Sequence, residues 1–292
     1  MSSVENQSIG LLWPDDAMIE EYKGKVRLSE RCVHDLGIER IVQAIGVKQK
    51  YFEGIQKVLL QLCSDPAVIR FRLDVMEDFV NNPELSLELE GILPAIQNLY
   101  NNNKGKNVIG LETVRKISWQ LETLSMYVEC VSRLHAALGK HRSVIQSAGL
   151  RRLLSYLDDL SGMEQYQGMV EQLPGFRKSI QDMSSVTIGI NLDNELRPAE
   201  AVFLSIEPKP FKENKRSLVT SLLGLKSVND PYYGISQFHS LAQNGGSAFE
   251  TALFKDLEAL FNTAIQPIGA VIQQYLNMNI QAITSLELEI AF

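Results

Sequence analysis

The sequence has no apolar run approaching the roughly 20 residues needed to cross a bilayer, so it encodes no membrane-spanning helix. Its first ten residues lack a basic stretch followed by an apolar one. No secretory signal is read, and a cytoplasmic location is expected. Cysteine is scarce: Cys32, Cys63 and Cys130 stand far apart and form no CxxC pair. That excludes a disulfide framework and points to reduced thiols. Positive charge is also in deficit, with a formal net charge of -7. A chain whose whole surface received a nucleic acid would be basic, so any such contact must be local.

Catalytic patterns are missing as well. There is no Walker A loop: Gly224-Leu225-Lys226-Ser227 has the Lys and Ser but not the Gly-Lys pair or the upstream glycine. His34, His135, His141 and His239 show no HExxH or HxH spacing, and Cys130 and His135 fall on different faces of a helix. Asp15-Asp16 and Asp158-Asp159 are neighbours that diverge by about 100° on a helix, which rules out an acid/base dyad. No GxSxG is present. No nucleophile, cofactor site or metal site is assigned, and this chain is expected to be non-catalytic.

What the sequence does have is helical periodicity. Hydrophobic residues make up 45% of 292, enough for one large core or two smaller ones. Residues 1–27 read as irregular, with Trp13-Pro14-Asp15-Asp16 suited to opening a short helix. Ser29 is placed to cap a helix over Glu30–Ile45, and Lys48–Cys63 makes the next. Ser64-Asp65-Pro66 is the clearest helix start. It leads a helix to about Val80 whose apolar stripe is Ile69, Leu73, Met76 and Val80. Asn81-Asn82-Pro83 stops it and opens another, to about Tyr100, with Pro94 inside. Asn101–Asn107 reads as a polar loop. Val108 to Leu138 then reads as one helix of roughly 45 Å. Helices over Val144–Leu160 and Gln165–Met183 are its expected partners.

The pattern then changes. Val186–Ile190 and Ala201–Ile206 are β-like runs around a polar turn, predicting a hairpin near 186–206. A basic run follows. From Pro208 to Lys226, Lys209, Lys212, Lys215, Arg216 and Lys226 stand against one acid, Glu213. Phosphate contact is one reading of these five cations and a solvated loop is the other. Residues 247–292 form a last periodic segment, roughly 70 Å if helical throughout, with Pro267 expected to bend it. It stops on Leu286-Glu287-Leu288-Glu289-Ile290-Ala291-Phe292 with no Gly or Asn stop signal, which reads as a cut upstream of another domain.

Two stretches resemble the MutS family of DNA mismatch repair ATPases. Asp65, Ile69 and Arg72 are similar to that family's D-x-x-x-I-x-x-R helix, and Leu93, Ile96 and Leu99 to its L-x-x-I-x-x-L helix. The final segment looks like the lever helix leading into the MutS ATPase. The stretch Ile188–Asp193 with Leu196–Ala201 resembles a bacterial subgroup without the mismatch-reading N-terminal domain. The resemblance implies a mainly α fold: a long-helix lever bundle with a helical, clamp-like excursion containing a small β-hairpin. Residues 28–110 plus 247–292 would be the lever and 111–246 the clamp. It implies DNA as partner, mismatched or branched, with the five cations as contacts, and a homodimer in the whole protein. ATP and Mg would belong to a C-terminal ATPase domain outside this chain. Mismatch reading in the family uses a Phe-x-Glu wedge, and Phe52-Glu53 and Phe79 sit in helices that do not supply one. The alternative is a helical scaffold or dimerisation module with no nucleic-acid role.

Overall fold

A computed structural model describes residues 9–15, 18, 29–44, 49–60, 63–104, 113–196, 198–210, 266–272, 274–275 and 279–292. The chain is mainly helical with one small antiparallel sheet. The described helices are α1 (Glu30–Asp35), α2 (Ile38–Ala44), α3 (Phe52–Leu60), α4 (Pro66–Asn81), α5 (Pro83–Lys104), α6 (Thr113–Lys140), α7 (Ala148–Gly162) and α8 (Glu164–Gln181), then α9 (Ile280–Ala291). Between α8 and α9 come strands β1 (Ser185–Leu192) and β2 (Pro198–Glu207). Two compact units are present: Met1–Leu173 with Val271–Phe292, and Pro174–Ala270.

In the first unit α6 is the central rod. Its 28 residues run unbroken, about 42 Å at 1.5 Å per residue. Ile117, Leu121, Leu124, Val131, Leu134 and Leu138 are buried along it, the stripe that the periodicity predicts. Full burial of each leucine contributes about 1.5–3 kcal/mol. The stripe is satisfied from several sides, because α5, α7 and α9 all pack on α6. Near its start the layer turns polar: Gln120 and Thr123 are buried, and Asn102 Nδ2 on α5 donates to Thr123 Oγ1 at 2.9 Å. That bond helps explain why α5 continues to Lys104 where a polar loop was expected from Asn101. Residues 105–112 lie outside the described set.

Local signals place most helix starts. Asp65 accepts from the Ala67 amide at 2.8 Å with Pro66 in the first turn, and α5 opens on Pro83. Ser29 caps α1 by accepting from the Cys32 amide. The expected single helix over Glu30–Ile45 is instead split, because Gly37 takes a φ of +61° and its N–H turns back to the His34 carbonyl. Val144 does not begin α7. A turn covers Val144 and the helix starts at Ala148, where the Ser147 hydroxyl accepts from the Leu150 amide. The last segment is not one rod either. Asn279 has a non-helical ψ of 70° and caps a new helix through Ala282.

The largest correction concerns α4. Its buried side chains are Val68, Phe71, Val75 and Asp78, whereas Ile69, Leu73, Met76 and Val80 are 43%, 55%, 47% and 75% exposed. Two apolar stripes lie on nearly opposite sides of this helix, and periodicity alone does not rank them. Packing does. Gly149 at the start of α7 lets the inner stripe approach closely: a Cβ there would meet Val75 Cγ2 at 2.8 Å and the Phe71 ring at 3.0 Å.

In the second unit β1 and β2 form a two-stranded antiparallel ribbon, with Ser185 opposite Glu207 and Ile188 opposite Phe203. Register shifts interrupt the ladder at Thr187/Ile188 and at Asn191/Leu192. Both β-like runs of the sequence lie within these strands.

Candidate functional site

Three charged side chains from three helices hold the segment Ile9–Asp15 against the first unit. On α4, Arg72 Nε donates to the Leu12 carbonyl at 2.8 Å and the guanidinium lies 4.5 Å from the centre of the Trp13 ring. On α7, Arg152 donates to the carbonyls of Gly10, Trp13 and Pro14 and lies over the Phe71 ring. On α9, Glu289 accepts from the Leu11 amide. Leu11, Leu12 and Trp13 are buried in consequence. Just beyond this segment Met18 is helical and its amide donates to the Asp15 carbonyl at 3.2 Å; the rest of the short helix expected to open at Trp13–Asp16 lies outside the described residues. Burial presses the Arg72 pKa downward, with Glu289 and Cys63 opposing it electrostatically.

The same α9 carries a second anchor. Glu287 accepts from the Tyr51 hydroxyl at 2.9 Å and pairs with Lys50 Nζ at 3.4 Å. Burial, reinforced by this carboxylate, raises the Tyr51 pKa well above the ordinary phenol range. Leu288, between the two acids, packs on the cluster of Ile38, Val42, Tyr51, Ile55 and Leu93. Gly54 makes room for it: a Cβ at that position would lie 2.5 Å from Leu288 Cδ1. Two carboxylates and a leucine on one turn therefore join α9 to the N-terminal segment and to the 3₁₀ turn Gln49–Tyr51. Sequence reasoning took Leu286–Phe292 as a helix end and missed these roles. Alternating acids and leucines were the available signal.

A buried carboxylate joins α4 to α7. Asp78 is 4% exposed and accepts from the Gln146 amide at 2.9 Å and the Ser147 amide at 2.7 Å. These amides lie at the start of α7, where backbone donors lack helical partners and the helix dipole favours an anion. A separate polar chain runs between α6 and α7. His135 Nε2 lies 2.8 Å from Asp158 Oδ1, and Ser161 Oγ lies 3.3 Å from His135 Nδ1. The order hydroxyl, imidazole, carboxylate is that of a nucleophilic triad. Here, however, Arg142 donates to both Asp158 oxygens at 2.8 Å, and the group ties the α6–α7 turn to both helices. Its plain chemical role is a pin.

Hydrogen bonds from Arg142, then His135, hold the Asp158 carboxyl below its usual range. A depressed carboxylate adds stability above the unfolded-state value of about 3.9, lost as pH falls through the folded value. The stability difference between the parent chain and Asp158→Asn should therefore be largest above about pH 5 and shrink below about pH 4. Urea midpoints measured from pH 2.5 to 7 check this; a gap that widens in acid contradicts it. Cys130, buried in α6, has its thiol pushed up to about 12 by burial and is chemically inert.

Of the five cations proposed for DNA, Lys209 is exposed just beyond β2, and its carbonyl accepts from Ser185 Oγ at 2.8 Å. The first cation of the run thus sits at the base of the hairpin. Lys212, Lys215, Arg216 and Lys226 lie outside the described residues. So does Phe211-Lys212-Glu213, a tripeptide with the Phe-x-Glu spacing. Among the described residues of the hairpin, apolar side chains are exposed. Val202 and Leu204 are 55% and 64% exposed and lie over Gly189, where a Cβ would meet them at 3.4 and 3.2 Å.

Among the described residues no His, Cys, Asp or Glu cluster is placed to hold a metal, and no helix is long and apolar enough to span a membrane. Long packed helices, braced by ion pairs and hydrogen bonds between them, define a helical module with a small two-stranded sheet. The family model for the MutS2 N-terminal domain matches residues 64–292, and the chain belongs to that family. Comparison with curated proteins and with solved structures gives no significant match.

Proposed function

We propose that this chain is the lever and clamp portion of a MutS-type protein, carrying motion between a C-terminal ATPase and a DNA-gripping segment. The observation that supports it best is the bracing of α9. Glu287, Leu288 and Glu289 fasten that helix to the N-terminal segment and the Tyr51 turn, and it packs on both α5 and the 28-residue α6. A displacement of α9 would be passed on through packed helices, which switch between discrete arrangements rather than deform smoothly. The family's own designation is that of an N-terminal domain, in line with an engine elsewhere in the protein. ATP and Mg would act there, and the whole protein would work as a homodimer.

In this reading Lys209, Lys212, Lys215, Arg216 and Lys226 meet phosphates. Each contact contributes about 0.9 to the slope of log affinity against log salt. Reversing Lys209, Lys212, Lys215 and Arg216 to Glu should weaken binding of a branched or mismatched duplex by about 100-fold at low salt and reduce the slope by about 3–4. Fluorescence anisotropy over 50–200 mM salt reads both. Salt-independent binding, or an unaltered slope in the quadruple variant, removes the basic run from the mechanism. A scaffold with no nucleic-acid role is the second reading, favoured by the net charge of -7 and by the outward apolar stripe of α4.

A further inference from the structure

α4 has apolar residues on both sides. Its inner stripe is consumed by α7 and the core. Its outer stripe, Ile69, Leu73, Met76 and Val80, stays between 43% and 75% exposed. The intervals are 4, 3 and 4 residues, the alternation of a coiled-coil seam, and all four side chains fall within about 60° around the helix. Isolated exposed apolar residues need no explanation, but an aligned row of four on one helix marks a docking surface.

The charges along its edge identify the occupant. Arg70 and Glu77 are both exposed and stand on the same flank, seven residues apart, one towards each end of the seam. In an antiparallel helix pair, each flank meets the same flank of its partner. A second copy of α4, turned about a twofold axis between Leu73 and Met76, sets Ile69 against Val80 and Leu73 against Met76 in both directions. The same rotation carries Arg70 of each copy to Glu77 of the other. The surface is complementary to itself in shape and in charge, which is the requirement for a twofold contact. A parallel pairing would instead bring the flank holding Arg72 and Phe79 against that of Arg70 and Glu77, losing the reciprocal match.

We infer that the outer face of α4 is a self-association surface, pairing antiparallel with α4 of a second copy of this chain. The inference is independent of the DNA reading, which rests on other residues. One helix pair of this length falls below the roughly 1,200 Å² of standard specific interfaces, so a weak, micromolar dimer is expected.

Sedimentation velocity of the chain from about 1 to 300 µM tests it over the range in which such a contact exchanges. A shift from monomer to dimer is expected. L73E/M76E, at two exposed positions, should abolish it while leaving the circular dichroism spectrum and melting profile in place. R70E and E77R should each weaken the dimer by roughly tenfold, because the twofold axis duplicates every like-charge encounter. The combination R70E/E77R should restore parental affinity. A chain that stays monomeric throughout overturns the proposal. So does a dimer indifferent to L73E/M76E, or one that the double charge swap fails to rescue.

Discussion

Replacing Asp78 by alanine is expected to cost about 3–5 kcal/mol of folding stability. The carboxylate is 4% exposed and receives the Gln146 and Ser147 amides at 2.9 and 2.7 Å. Removing it strands the buried Ser147 amide and the partly buried Gln146 amide just ahead of α7, and a buried donor costs about 1–3 kcal/mol when left without a partner. It also takes a negative charge from the positive end of that helix. Asn at this position keeps one acceptor and should lose about half as much. Against a typical domain stability of about 5–15 kcal/mol, the alanine variant would be markedly depleted of folded protein at 37 °C. Urea unfolding followed by far-ultraviolet circular dichroism measures both variants. An Asp78→Ala midpoint within about 1 kcal/mol of the parent would mean that water replaces the carboxylate, and the α4–α7 link would lose its importance.

The second large effect should come from the middle of α6. Glu129 is exposed, and its contact with Arg133 at 3.4 Å is a surface i,i+4 pair worth at most about 0.5 kcal/mol. Glu129→Ala should therefore be nearly silent. Glu129→Pro removes a backbone hydrogen bond and drives the ring into the preceding turn, at a cost of about 3 kcal/mol or more. No core side chain changes in either variant, so the contrast isolates the continuity of the rod. Because α5, α7 and α9 all lean on α6, the loss should appear as one cooperative transition at lower urea. If proline is tolerated as readily as alanine, α6 is not acting as a stiff element, and the mechanical reading of this family member weakens with it.

The parts of the fold legible in the sequence were those fixed by neighbours in the chain. Asp65-Pro66 and Pro83 start helices by local backbone chemistry, and α6 announces itself by a stripe long enough to have no other interpretation. The hairpin was visible because β-like runs alternate with a polar turn around Asn191–Pro198. What was not legible depends on distant partners. Choosing between the two stripes of α4 required knowing that α7 presents Gly149 to Val75 and Phe71. The burial of Leu11–Trp13 required Arg72, Arg152 and Glu289, three residues spread over more than 200 positions. Gly37 and Asn279 each interrupt a periodic pattern that continues on either side of them. For the candidate DNA contacts, the sequence supplied the charges, and the structure places Lys209 at the foot of the hairpin.

The bond from the Leu11 amide to Glu289 spans 278 positions. At a ribosomal pace of about 5–20 residues per second, Leu11 emerges roughly 15–60 s before its acceptor is made. Throughout that interval Leu11, Leu12 and Trp13 have no α9 to close over them, and three greasy side chains are presented to whatever holdase attends the nascent chain. Maturation of the first unit is therefore timed by the arrival of its last helix.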